Sequence, residues 1–249
     1  MRPFLIALQF LTRIPVPHRF IEAGCARDTG NALYYYPLVG AVIGLLLLVT
    51  SYLLHEVHIA LQALAVLLVW VCVTGGLHLD GLADSADAWA GSFNDAQRAL
   101  DIMKDPACGP VGVIALVFVI LIKFVCIELL IESSQFIALL LIPVIARCVP
   151  IVLFATTPYV RRNGLGAELS VHKGQFKPWV SVIITAVVLL CLTPKLGMLL
   201  IITMVITIFF LRALMIKRIS GMTGDTVGGA IELNEVSALL VTSAVLAGG

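Results

Sequence analysis

The sequence predicts an all-α integral membrane protein: a polytopic helical bundle of about seven transmembrane helices with an N-terminal interfacial helix, forming one domain over residues 1–249. Three observations carry that reading. Of 249 residues, 60% are apolar and only 12% are charged, and the mean hydropathy is +1.06; a soluble domain carries about 25% charged residues. Apolar runs such as Ala60 to Val73 do not show the period-2 alternation of a membrane β-barrel. The basic residues also recur in alternate gaps between the apolar segments, as a chain threading a membrane requires. This composition excludes a disordered chain, a coiled coil and an ordinary soluble globule. A net charge of +1, from 16 Lys plus Arg against 15 Asp plus Glu, gives no reason to expect nucleic acid as a partner.

Taken in order, the chain opens with Phe4 to Leu11, an apolar stretch too short to span. Arg13, Pro15 and Pro17 follow without a small-residue cleavage pattern, so an interfacial helix is expected rather than a signal peptide. The spans are expected at 34–54, 57–77, 110–131, 134–156, 178–194, 196–215 and 233–248, against a requirement of about 20 apolar residues per crossing. The gaps at 55–56, 132–133 and 195 are very short, whereas those at 1–33, 78–109, 157–177 and 216–232 are long and polar. The long segments carry Arg2, Arg13, Arg19, Arg27, Arg98, Lys104, Arg161, Arg162, Lys173, Lys177, Lys217 and Arg218, and Arg212 flanks the last of them. Only Lys195 falls in a short gap, so the positive-inside rule puts all four long segments in the cytoplasm. Lipid is therefore the expected surrounding, and a homo-oligomer is compatible with the pattern. The six cysteines, Cys25, Cys72, Cys108, Cys126, Cys148 and Cys191, form no C-x-x-C pair and read as small packing residues.

The scarce acidic residues are concentrated in two of the long segments. The first contains His78, Asp80, Asp84 and Asp87. On a helix of about 100° per residue, Asp84 falls about 40° to one side of Asp80 and Asp87 about 20° to the other. Three carboxylates on one strip repel each other unless a cation joins them, and Mg²⁺ takes hard oxygen ligands of this kind together with substrate phosphates. On an unbroken helix His78 points about 160° away from Asp80, which disfavours direct metal ligation but leaves it free to bind a phosphate or carboxylate. The same segment continues through Arg98, Lys104 and Asp105 to the turn pairs Asp105-Pro106 and Gly109-Pro110.

The second acidic segment, Ser220 to Glu235, is rich in glycine and carries Asp225, Glu232 and Glu235. Asp225 is expected to cap the last helix, and the two clusters are expected to converge on one metal site. The Gly-Lys-Ser/Thr ending of a P-loop is absent. Lys123, Glu128 and Arg147 fall inside spans, where ionisable residues need partners. Arg147 lies between Pro143 and Pro150, which predicts a broken helix and either a substrate anion or a carboxylate as its partner. Carboxylate clusters with scattered Arg and Lys suit metal-assisted phosphoryl transfer, with an Asp accepting the proton of an attacking hydroxyl.

The motifs Gln9 to Pro17, Tyr36-Pro37-Leu38-Val39-Gly40, Gly76 to Asp87, Met103 to Gly112 and Gly224 to Glu235 resemble those of the adenosylcobinamide-GDP ribazoletransferase family, also called cobalamin-5'-phosphate synthases, over nearly the full length. The resemblance implies a multi-pass enzyme of the bacterial inner membrane, with its active site facing the cytoplasm. It also implies a late step of cobalamin assembly: adenosylcobinamide-GDP is joined to α-ribazole or its 5'-phosphate, with release of GMP and with Mg²⁺ as cofactor. Carried onto this sequence, Asp80, Asp84, Asp87, Asp225, Glu232 and Glu235 are the candidate metal ligands. Asp84 and Asp105 are the candidate catalytic bases, and His78, Arg98, Lys104 and Arg147 the candidate substrate-binding residues. Asp80-Gly81 alone also resembles CDP-alcohol phosphotransferases, which make phospholipids. A secondary transporter is the competing class, disfavoured because the acidic clusters lie at the membrane edge and no internal repeat is visible.

Overall fold

The computed structural model describes residues 2–17, 26–161, 166 and 178–246. All the regular elements among them are helical. They are α1 (Arg2–Leu11), α2 (Ala26–Ala32), α3 (Tyr36–Leu53), α4 (Ile59–Thr74), α5 (Leu77–Gly91), α6 (Ala96–Ile102), α7 (Pro110–Glu132), α8 (Phe136–Ala146), α9 (Cys148–Thr156), α10 (Pro178–Leu192), α11 (Pro194–Ile219) and α12 (Gly224–Leu246). One apolar cluster runs from Ala7 and Leu11 in α1 through Ile43, Trp70, Ile127 and Ile142 to Leu239 in α12. Facing outward, side chains such as Phe118, Ile183, Phe209 and Phe210 are exposed, as lipid-facing surface is.

By length and composition four described helical segments can cross a membrane: Asp28–Leu53, Pro110–Glu132, Phe136–Thr156 and Pro194–Ile219. The pair α4 and α5 makes up to five if it counts as one bent span. Each of the seven expected segments holds a described helix, and three of these helices differ from expectation in length or starting point. The span expected at 57–77 is a helix of 16 residues that ends at Gly75. The one at 178–194 holds 15 residues. The last helix starts at Gly224 rather than at 233 and so includes Asp225, Glu232 and Glu235.

The turn between α4 and α5 positions the site. Gly75 (φ 63°) and Gly76 (φ 67°) are both left-handed, a conformation costly for any residue with a Cβ. They swing α5 by 84° from α4. The segment after α1 packs onto this corner, where Arg13 N donates to Val73 O at 2.7 Å. Elsewhere Gly40 and Gly44 let α3 lie directly on α8; a Cβ at either would stand 2.4 Å from the carbonyl oxygen of Pro143 or Leu140. The predicted break at Arg147 is present between α8 and α9. Pro150 has no N–H for the Ala146 carbonyl, and its ring crowds that oxygen. His18, Arg19, Cys25, Arg162, His172, Lys173 and Lys177 lie outside the described residues.

Candidate active site

The acidic strip expected at Asp80, Asp84 and Asp87 forms one face of α5. Asp80 is exposed in the first turn, and Asp84 and Asp87 are half-buried. Helix α12 crosses α5 against this strip because Gly81 has no side chain: a Cβ there would sit 2.6 Å from the Asp225 carbonyl oxygen. Thr223, not Asp225, caps α12. Thr223 Oγ1 accepts from Thr226 N at 3.2 Å, and Thr226 Oγ1 accepts from Thr223 N at 2.9 Å, a reciprocal capping pair. Asp225 is left free to point at its neighbours. The chain after α9 is stitched to this turn, with Met222 N donating to Pro158 O at 2.8 Å and Val160 N donating to Met222 O at 3.0 Å. That places Arg161 Nη2 at 2.6 Å from Asp225 Oδ2.

Crowding shows in the acidity of the cluster. Burial first, then the charges of Asp80 and Asp225, push the Asp84 carboxyl up to about 6, against the pull of Arg161. Burial also raises Asp225, with Arg161 opposing and Asp80 adding to the rise.

Asp87 uses its carboxylate differently. Its oxygens accept from Gly109 N at 2.7 Å and Gly112 N at 2.8 Å, so it caps the first turn of α7 from a neighbouring helix. Glu232 and Glu235 do not join the acidic strip, a correction to the expected convergence of the two clusters. Helix α12 carries them inward, to 2% and 0% exposure. Lys123 Nζ lies 2.5 Å from Glu232 Oε2 and 2.5 Å from Glu235 Oε2, and Arg147 pairs with the other oxygen of Glu235. Arg147 is fully buried in this network, so its expected role at a substrate phosphate gives way to the carboxylate partner. Arg98 is exposed, with its guanidinium 5.5 Å from the Phe93 ring centroid. Lys104 is exposed and 3.2 Å from Asp101. Asp105 closes its own exposed turn by accepting from Ala107 N at 3.0 Å.

A cleft adjoins the cluster, lined by Phe10 and Leu11 of α1, Tyr36 of α3, His78 and Asp80 of α5, Pro150 and Phe154 of α9, and Asp225, Gly228 and Ile231 of α12. His78 and Asp80 reach the same space despite their opposed directions, because the cleft wraps the start of α5. His78 is 2% exposed, and neither ring nitrogen has a hydrogen-bond partner among the described residues.

The sequence pattern of the cobalamin-5-phosphate synthase family matches residues 3–243. The chain belongs to this family. A relative from Acinetobacter baumannii strain ATCC 17978 is 48% identical over 239 residues, covering 94% of each chain, and is named adenosylcobinamide-GDP ribazoletransferase. A Pseudomonas savastanoi pv. phaseolicola relative with the same name is 47% identical over 240 residues, covering 96% of this chain and 98% of its own. A third, from Pseudomonas fluorescens strain Pf0-1, is 42% identical over 240 residues. No solved structure matches the chain. The chain is thus a transferase of cobalamin biosynthesis, with helices apolar enough to cross a membrane.

In this chain, no three Asp, Glu, His or Cys side chains among the described residues stand close enough to hold an ion unaided. The donor set still suits Mg²⁺. Its groups are hard oxygens that repel one another, and this cation completes its shell with water and substrate phosphate. The residue missed by sequence reasoning is Arg161. It was visible only as one charge in a basic segment, and a contact made across the Pro158–Met222 pairing leaves no local pattern.

Proposed function

We propose that the chain joins adenosylcobinamide-GDP to α-ribazole or α-ribazole 5'-phosphate, releasing GMP and forming adenosylcobalamin or its 5'-phosphate, with Mg²⁺ as cofactor. Family membership and the names of the relatives support the reaction. One structural observation carries the reading: Asp80, Asp84 and Asp225 gather beside Arg161 at the edge of a largely apolar cleft. Asp80 and Asp225 would hold Mg²⁺, with Asp84 and Asp87 flanking them. A cation held there would supply positive charge against the diphosphate and the departing GMP phosphate.

Asp84 serves as the base. A ribose hydroxyl oxygen attacks the phosphorus on the cobinamide side and gives its proton to the Asp84 carboxylate. The P–O bond to the GMP phosphate breaks, and its electron pair leaves with GMP. A carboxyl near 6 is deprotonated at neutral pH yet basic enough to share the proton in the transition state. Arg161 balances the charge of Asp225 and keeps that side chain turned toward the cluster. Arg98 and Lys104, exposed on and beside α6, draw in the anionic donor. The distribution of basic residues supports a cytoplasmic position for this face at the inner membrane.

The test is GMP release from adenosylcobinamide-GDP and α-ribazole 5'-phosphate by purified protein, with and without Mg²⁺. Asp80→Asn is expected to lower kcat/KM by about a hundredfold or more with an unchanged melting temperature. Near-normal turnover in that variant would sink the proposal.

A further inference from the structure

We infer that the cleft beside the acidic cluster seats the aromatic base of the riboside acceptor, with His78 donating a hydrogen bond to the one free ring nitrogen of that base. The inference rests on the riboside-accepting reaction proposed above and adds where and how the acceptor is held.

The walls are Phe10, Leu11, Tyr36, Pro150 and Phe154, so a bound group meets carbon on most sides. The side chains at the floor are closed off: Leu11 is 1% exposed, Tyr36 2% and His78 2%. Asp80 is exposed and Asp225 half-buried, so the carboxylates mark the open end. His78 and the Tyr36 hydroxyl are therefore the polar side-chain groups on the closed side, and both nitrogens of His78 are unpartnered among the described residues. A buried group left without a hydrogen bond costs about 1–3 kcal/mol, and a ligand in the cleft would remove that cost.

Three groups available to this reaction can be compared. A guanine base presents several donors and acceptors along its edges; the His78 imidazole and the Tyr36 hydroxyl on the closed side cannot satisfy them all, and the apolar walls would leave the rest unpaired. A lipid acyl chain suits the walls but leaves His78 without a partner. The benzimidazole of a ribazole is planar and largely apolar, which suits walls of Phe and Tyr. One of its two nitrogens carries the ribose, and the other holds a single lone pair. A neutral imidazole has one N–H to give it. With the base inserted this way the ribose emerges at the open end, beside Asp80 and Asp225 and one turn from Asp84. The cleft thereby positions the hydroxyl for transfer.

Two measurements on the full-length protein in detergent test this. In the first, Leu11→Trp fills the cleft. KM for the riboside is expected to rise about tenfold or more, while KM for adenosylcobinamide-GDP stays within about twofold. A rise confined to the GDP-linked donor would assign the cleft to guanine, and no change in either KM would remove it from substrate binding; both overturn the inference. The second compares benzimidazole riboside with indole riboside, which has C–H where the free nitrogen was. The wild-type protein should prefer the benzimidazole by about tenfold, and His78→Leu should use the two equally. Equal use by the wild-type protein overturns the role of His78 even if the filled variant does not fold. Absence of GMP release by the wild-type protein with both natural substrates would instead refute the proposed reaction.

Discussion

At the residue scale, Asp84 is where proton and cation compete. Its carboxyl is pushed up to about 6 by burial and by Asp80 and Asp225, so in the absence of a cation the base is only partly ionised at pH 6. At low Mg²⁺, kcat/KM is expected to climb as pH rises through about 6 and then level off. A cation beside Asp84 favours the ionised form, so saturating Mg²⁺ should move that rise to lower pH. Stability has the opposite sign. A carboxyl raised on folding binds its proton more tightly in the folded state, so its contribution is present at acid pH and is lost as pH passes upward through about 6. Metal-free protein should therefore melt lower at pH 7 than at pH 5, and Mg²⁺ should restore the difference. Asp84→Asn should abolish both dependences; a pH–rate profile at two Mg²⁺ concentrations and a melting series check them. The acidic strip itself was legible because helical spacing is local. The elevation of Asp84 was not, because it arises first from burial in the folded bundle, with Asp80 and then Asp225, on a helix far away in sequence, adding to it.

At the element scale, glycine was the residue most easily misread. The run around Gly224, Gly228 and Gly229 falls before the span expected at 233–248, although Asp225 was expected to cap the last helix, and glycine weakens an isolated helix by about 1 kcal/mol. In the folded protein it opens α12, and its glycines are where α12 meets α5: a Cβ at Gly229 would be 3.2 Å from Leu82 Cα and one at Gly228 3.4 Å from His78 Cα. Packing supplies what propensity lacks. The closest approach is on the other partner, at Gly81, where a Cβ would lie 2.6 Å from the Asp225 carbonyl oxygen and 2.9 Å from its Cα. Both atoms are backbone and cannot rotate away. Gly81→Ala should therefore force α5 and α12 apart at the point where Asp225 meets Asp80 and Asp84. Overpacking of this kind costs about 1–3 kcal/mol. Activity should fall further than stability, read as a loss of turnover at temperatures well below a modestly lowered melting point. The neighbouring Gly75-Gly76 pair was legible as a boundary, but the 84° bend it makes was not.

At the scale of the whole molecule, composition identified a helical membrane protein, and a described helix occupies each of the expected apolar segments, though their lengths differ. Hydropathy alone does not separate a 26-residue helix such as α11 from a 15-residue one such as α10. It also hid how the bundle is tied together, because charges inside spans were each visible without their partners. Lys123 on α7, Arg147 between α8 and α9, and Glu232 and Glu235 on α12 form two positive and two negative charges in one closed network. Lys123 Nζ also stands 4.7 Å from the centroid of the Trp70 ring on α4. The network therefore joins α4, α7, the α8–α9 break and α12, and through α12 it fixes the height at which Asp225 meets α5. Removing one member leaves an unmatched charge in a dry interior, which costs about 3–5 kcal/mol, whereas removing a balanced pair in favour of apolar groups is often close to neutral. Glu235→Ala strands Arg147 and should lower the melting temperature sharply. Lys123→Met combined with Glu232→Leu keeps Arg147 and Glu235 matched, and the double variant should lose less stability than Lys123→Met alone. If the two substitutions instead add, the four charges are independent rather than one network, and the register of α12 must be set by its apolar contacts.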